Sequence, residues 1–209
     1  MYIVSACLLG ANCKYNGGNN DNEAVKDFCE GHKVLVVCPE TAGGLTAPRP
    51  PAEQVKVSGA GAADARIMNN EGDNVRILNS EGEDVTEYFL RGAEICFNKV
   101  MAVCGHSDQD GREENDGTER GDCEENNGTG RGDCKKSDGK GSGDCKEDDG
   151  AEVSELAILK ANSPSCGSGC IYDGTFTGTL TEGDGVFAAK LKEVGIKVLT
   201  ELDIEQMRH

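Results

Sequence analysis

The sequence predicts an α/β fold, a single domain with a mostly parallel sheet flanked by helices, and three observations predict it. Short apolar runs recur at Tyr2-Ile3-Val4, Lys33–Val37 and Leu156–Lys160. They lack helical spacing and stop abruptly, as buried parallel strands do. Between and after them lie longer stretches with apolar residues at helical spacing, which gives the strand–helix alternation of a parallel sheet with right-handed crossovers. Each apolar run also delivers a cysteine just beyond its end: Cys7, Cys38 and Cys166. Ligands of open α/β sheets bind outside the carboxyl ends of the strands, so three thiols are expected at one functional edge.

Taken in order, residues 1–5 are predicted as the first strand, and Cys7–Gly18 as a loop whose glycines permit close backbone approach. Asp21 or Asn22 caps a helix reaching about Glu30, with Ala24, Val25 and Phe28 inward and Cys29 as packing. The second strand, 33–38, is a continuous Val/Leu run and is expected at the centre of the sheet. The stretch from Cys38 to Glu53 is too rich in Pro and Gly for regular structure, yet carries a thiol, a carboxylate and an arginine, as functional loops do. Short β-like pieces at Gln54–Val57, Ala65–Met68 and Val75–Leu78 read as an excursion at the sheet edge. Val85, Phe89, Ala93, Cys96, Val100 and Val103 mark one face of a long helix, with Cys96 and Cys104 as core residues. After Cys166 a helix runs from Gly185 to Glu193, Gly195 ends it, Ile196–Thr200 is the last strand and Asp203–Arg208 a closing helix.

The segment 105–150 stands apart. It contains no Ala, Val, Ile, Leu, Met, Phe, Tyr or Trp, and Gly-Asp-Cys recurs in it at Gly121–Cys123, Gly132–Cys134 and Gly143–Cys145, an eleven-residue period. A helical repeat of that period needs apolar positions, and none exist here. We read it as a low-complexity disordered insert. Residues 1–104 and 151–209 then form the one α/β domain together.

Of the 209 residues 36% are hydrophobic and the formal charge is −17. The insert holds 15 Asp/Glu against 7 Lys/Arg, −8 of that total. Such a chain gains nothing from counterion release on nucleic acid and is repelled by anionic membranes. A small ligand is the expected partner. No run approaches a membrane span and no signal-peptide pattern precedes Cys7, so a cytoplasmic location is expected. In that compartment the 11 cysteines read as metal ligands, reactive thiols or core residues and not as disulfides.

Three cysteines at three strand ends can form a ligand set that no local spacing pattern detects. Zinc with a fourth ligand from Cys13, Cys170 or His32 is one reading, an iron–sulfur cluster another, and the spacing does not choose between them.

Several stretches together resemble the DUF523 family, whose characterised members are thiouracil desulfidases. They are Ser5-Ala-Cys7-Leu-Leu-Gly10, Cys13-Lys-Tyr-Asn-Gly17, Cys38-Pro-Glu40 through Gly43-Gly44-Leu45, Pro48-Arg49-Pro-Pro-Ala-Glu53, Leu159-Lys160 with Ser163-Pro-Ser-Cys166-Gly167, Gly174-Thr-Phe176 and Gly183-Asp-Gly185. The resemblance covers nearly the whole chain except 105–150, and departs from the family at Asn16, where Asp is usual. It implies a [4Fe–4S] cluster held by Cys7, Cys38 and Cys166, with Glu40 and Ser163 at the substrate. Three ligands leave one iron open as a sulfur-seeking Lewis acid. The implied reaction is hydrolysis of the thiocarbonyl of a thiolated nucleobase such as 2-thiouracil, releasing hydrosulfide without redox change, with Glu40 as proton shuttle. Two alternatives remain at this level: a zinc-stabilised or iron–sulfur binding domain without catalysis, and sulfur transfer on tRNA, which the negative charge disfavours.

Overall fold

The computed structural model describes residues 1–57, 67–68, 74–104 and 155–208. In chain order the elements are β1 (Tyr2–Ser5), a 3₁₀ turn (Ala6–Leu9), α1 (Glu23–Cys29), β2 (Val34–Val37), α2 (Pro39–Ala42), β3 (Ala52–Lys56), β4 (Ile67–Met68), β5 (Asn74–Asn79), α3 (Thr86–Cys104), β6 (Leu156–Leu159), β7 (Cys170–Tyr172), β8 (Leu180–Glu182), α4 (Val186–Glu193), β9 (Lys197–Thr200) and α5 (Glu201–Met207). The expectations for 105–150 lie outside the described residues. The described residues all belong to one compact unit.

The central sheet is parallel, in the order β2-β1-β6-β9. Its two faces follow from strand alternation. Ile3, Ala157 and Leu159 face α3 and α4, packing with Ala93, Cys96, Val100, Phe187 and Leu191. Val4 and Ile158 face α1 and α5, packing with Ala24, Val25, Cys29 and Ile204. The predicted α/β class is therefore the observed one. Strand β2 is a correction: expected at the centre, it pairs among the described residues only with β1, and Val36 is 51% exposed. A continuous apolar run reports burial against helices and says nothing about how many neighbours a strand has. Asn22 is the cap of α1, its side chain accepting from Val25 N at 3.1 Å. Thr200 and Asp203 make a capping box at α5.

Four further points differ from expectation. The β-like pieces at 54–79 do not extend the central sheet; β3, β5 and β4 form an antiparallel sheet of their own. The stretch after Cys38 holds the short helix α2, started by Pro39 in the first-turn position that tolerates a missing N–H. The β7–β8 hairpin was not foreseen, because its short strands sit in a Gly- and Thr-rich stretch without clear alternation. Val103, expected on the inward face of α3, is 57% exposed.

Helix α2 packs on α3 backbone to backbone. A Cβ at Gly92 would lie 1.8 Å from the Pro39 carbonyl oxygen, and one at Gly43 would lie 1.9 Å from the Tyr88 carbonyl oxygen. Two glycines thus set the height of the segment that carries Cys38 and Glu40.

Candidate active site

Strands β1, β2 and β6 are parallel neighbours, so their carboxyl ends open on one edge, and the segments leaving them line one cavity of about 450 Å³. Cys7 lies in the 3₁₀ turn after β1, where its carbonyl accepts from Gly10 N at 3.3 Å and Asn20 N at 2.9 Å. Cys38 follows β2 directly as the residue that starts α2. Cys166 is delivered by a tight loop after β6: Ser163 Oγ accepts from Ser165 N (3.2 Å) and Cys166 N (3.3 Å), and Gly167 N donates to Ser163 O (2.8 Å). Gly167 and Gly185 have no room for a Cβ: at Gly167 it would meet Ser163 O at 2.8 Å and Cys170 O at 2.9 Å, and at Gly185, the residue before α4, it would meet Ser165 C at 2.4 Å. Cys7, Cys38, Cys166, Glu40 and Ser163, all named from sequence, line the same cavity.

The thiols differ in electrostatic setting. Cys13 lies within hydrogen-bonding reach of both Cys38 and Cys7, and those contacts hold its own proton on, raising its pKa. The same contacts favour thiolate at its neighbours. Cys7 is lowered, chiefly by the Cys13 hydrogen bond, against burial and with help from Asn20 and the Lys160 ammonium. Cys38 is lowered to about 6, again chiefly by Cys13, with Thr41 donors adding to the effect. Burial pushes the Cys166 thiol up, against hydrogen bonds from Ser5 and Ser165. Among the described residues, no group of three or more His, Cys, Asp or Glu converges closely enough to hold a single metal ion.

Facing the thiols is a polar network centred on Glu40. Its Oε1 accepts from Ser165 Oγ at 3.0 Å and Ser163 Oγ at 3.2 Å. Its Oε2 accepts from Arg49 Nε at 3.1 Å and from Arg49 Nη2. Ser165, fully buried, also reaches Cys166 Sγ at 3.7 Å, so one hydroxyl spans carboxylate and thiol. Lys160 lines the cavity but is held by Glu201 at 2.5 Å, while Ala161 N donates to the same carboxylate at 2.7 Å.

Other candidate residues fall elsewhere. His32 packs against Tyr2 with the rings tilted and their centroids 4.5 Å apart, beside the start of β1 and thus away from the cysteine edge. Cys170 is exposed on β7 and is not among the cavity-lining residues. Cys29 and Cys96 are buried in the two cores, and Cys104 packs against one of them. Sequence reasoning missed the roles of Ser165 and Arg49, and left Cys13 as one of several options. The closely spaced Cys7 and Cys13, flanking a tight turn, were the signal available for the last.

Comparison with known proteins adds three findings. A family model described as 2-thiouracil desulfurase matches residues 2–106 and 124–203. The uncharacterised protein YbbK of Bacillus subtilis (strain 168) is 31% identical over 209 residues, covering 99% of each chain. A solved structure described as the [4Fe–4S]-dependent thiouracil desulfidase TudS aligns with a TM-score of 0.59 and 28% identity, over 98% of this chain and 93% of that one.

Proposed function

The chain belongs to the 2-thiouracil desulfurase family, and from that premise we propose that it is an iron–sulfur-dependent desulfidase acting on a thiolated nucleobase such as 2-thiouracil. In the proposed reaction the C=S bond breaks, a C=O bond forms with the oxygen of water, and the sulfur leaves as hydrosulfide. Carbon and sulfur keep their oxidation states, so no reductant or acceptor is consumed. The observation that carries the reading is the meeting of three strand-end thiols with an Arg-held carboxylate in one cavity.

The donor set fits a [4Fe–4S] cluster bound by Cys7, Cys38 and Cys166. Iron–sulfur clusters take thiolates, and two of these thiols are already biased toward that form. The third, raised by burial, is of the kind that a bound metal deprotonates outright. Ligands of a multi-iron cluster attach to different irons and stand apart, so the lack of a single-ion site among the described residues is compatible with this set. When bound, the cluster would supply a Lewis-acidic iron with affinity for sulfur.

The protein's own groups would do the rest. Tyr15 and Tyr172 line the cavity and would give a planar base aromatic surface to pack against. Glu40 Oε1, which accepts from the Ser163 and Ser165 hydroxyls, would take a proton from attacking water directly or through Ser163. Ser163 has a second task, since its oxygen also receives two backbone N–H groups that shape the Cys166 loop.

The direct test is anaerobic reconstitution with iron and sulfide, then incubation with 2-thiouracil without reductant or acceptor. Uracil and sulfide in equal amounts are expected, from a brown protein. A colourless protein that binds zinc in place of iron, or turnover that requires a reductant each cycle, overturns the proposal.

A further inference from the structure

The Arg49 side chain is only 7% exposed and its donors are engaged on three sides. Nε and Nη2 hold Glu40 Oε2, Nη1 donates to Thr46 O at 2.9 Å, and Nη2 also donates to Cys13 O at 3.1 Å. Its backbone N–H donates to Tyr15 O at 2.7 Å. Proline on both sides, at 48 and 50, restricts the backbone that presents it. One residue therefore ties the 13–15 loop, with its thiol and its aromatic wall, to the carboxylate on α2.

We propose that Arg49 is a positioning residue of the desulfidation, acting through Glu40: it occupies Oε2 so that Oε1 alone is turned toward Ser163, Ser165 and the cavity, and it closes the 13–15 loop over the same carboxylate. The inference rests on the proposed function and goes beyond it by naming what aims the proton-transfer group. A carboxylate has two chemically equal oxygens, and rotation about its last bond exchanges them. A guanidinium fork on one oxygen removes that freedom, because two converging donors hold that oxygen while other N–H groups of the same rigid plane are anchored to backbone carbonyls. Lysine has the charge but no fork. It would leave some of these acceptors unpaired and let the carboxylate turn.

The test is a double-mutant cycle on the cluster-loaded protein, comparing Arg49→Lys, Glu40→Gln and the double variant, with 2-thiouracil as the probe. Iron per chain and melting temperature are measured alongside, and kcat is expressed per cluster. Arg49→Lys is expected to lower kcat by about 10²-fold, the cost of a misplacement on the order of 1 Å, with a much smaller change in KM. In the Glu40→Gln background the same substitution should change kcat by less than about 2-fold, since residues acting as one unit are not additive. An Arg49→Ala variant should regain activity when free guanidinium is added at concentrations that leave the wild type unaffected. Multiplicative losses in the double variant overturn the proposal, as does a loss that follows iron content or melting temperature alone. Absence of turnover in the wild type with the cluster loaded overturns the proposed function and this inference with it; a fully active Glu40→Gln overturns the inference and the role of Glu40 while leaving the desulfidase reading intact.

Discussion

Substituting Gly92 by alanine sets two effects of opposite sign against each other, and the structure says which is larger. In an isolated helix the change would stabilise by about 1 kcal/mol, because alanine loses less backbone freedom than glycine. On α3 the new Cβ would lie 1.8 Å from the Pro39 carbonyl oxygen and 2.9 Å from Gly43 N, both of them backbone atoms that cannot rotate away. Carbon–oxygen contacts in proteins begin at about 3.3 Å, so α2 has to retreat by about 1.5 Å. Overpacking of this kind costs typically 1–3 kcal/mol, and the absence of any flexible atom at the contact puts this case at the upper end. After the helix-propensity gain the net loss is about 2 kcal/mol, or roughly 4–8 °C in melting temperature for a chain of this size. Because α2 carries Glu40 and begins at Cys38, a displacement above 1 Å should also lower kcat per cluster by about 10²-fold. Thermal unfolding and turnover of Gly92→Ala beside wild type check both. A melting temperature equal to or above wild type would show that α2 is not seated on α3 as described.

Cys7→Ser, Cys38→Ser and Cys166→Ser should each lose most of the iron taken up on anaerobic reconstitution, whereas Cys29→Ser, Cys96→Ser and Cys104→Ser should keep it; full iron in Cys166→Ser would remove the proposed ligand set. Glu40→Gln should retain iron and slow turnover by about 10²–10⁴-fold, the usual worth of a positioned acid–base group, and undiminished kcat would reassign the carboxylate to holding loops together. Replacing 105–150 by a short Gly/Ser linker should leave melting temperature and iron content unchanged, since loop-closure entropy changes by only about 0.6 kcal/mol per doubling of length. Loss of iron in that deletion would bring Cys123, Cys134 and Cys145 into the site.

The parts that could be read from sequence are those that local chemistry determines. A short apolar run such as Leu156–Leu159 that stops abruptly reads as a strand, and a Ser-Pro-Ser-Cys-Gly sequence leaves it as a tight loop, so the arrival of Cys166 at a sheet edge could be anticipated. The position of β2 could not, because strand order is decided by packing between segments far apart in the chain. The Glu40–Arg49 pair was harder still. Both residues were visible within one loop, but nothing in their spacing says that the arginine folds back on the carboxylate instead of facing a ligand. Cys13 illustrates the same limit: its sequence neighbours mark a turn, while its importance comes from two thiols carried in by two different strands.

The small antiparallel sheet acquires its purpose from the same accounting. Gln54 on β3 donates through Nε2 to Pro164 O at 3.1 Å and to Asp184 O at 3.0 Å, and Glu53 accepts from Gly174 N and Phe176 N, each at 3.0 Å. Both side chains are nearly buried, and buried polar groups need partners because leaving one unpaired costs about 1–3 kcal/mol. Here the partners are backbone groups of the Cys166 loop, of the segment entering α4 and of the loop after β7. The strand ends of the central sheet can aim three thiols at one edge, but they leave the loops beyond them without support of their own. A second sheet, in which β3 pairs antiparallel with β5, supplies that support through Glu53 and Gln54, and Glu53 lines the cavity while its Oε2 accepts from two loop amides. Glu40 and Glu53, which both line the cavity, thereby differ in their partners. Glu53 accepts from two backbone N–H groups through Oε2, whereas Glu40 Oε1 lies among hydroxyls whose protons can move.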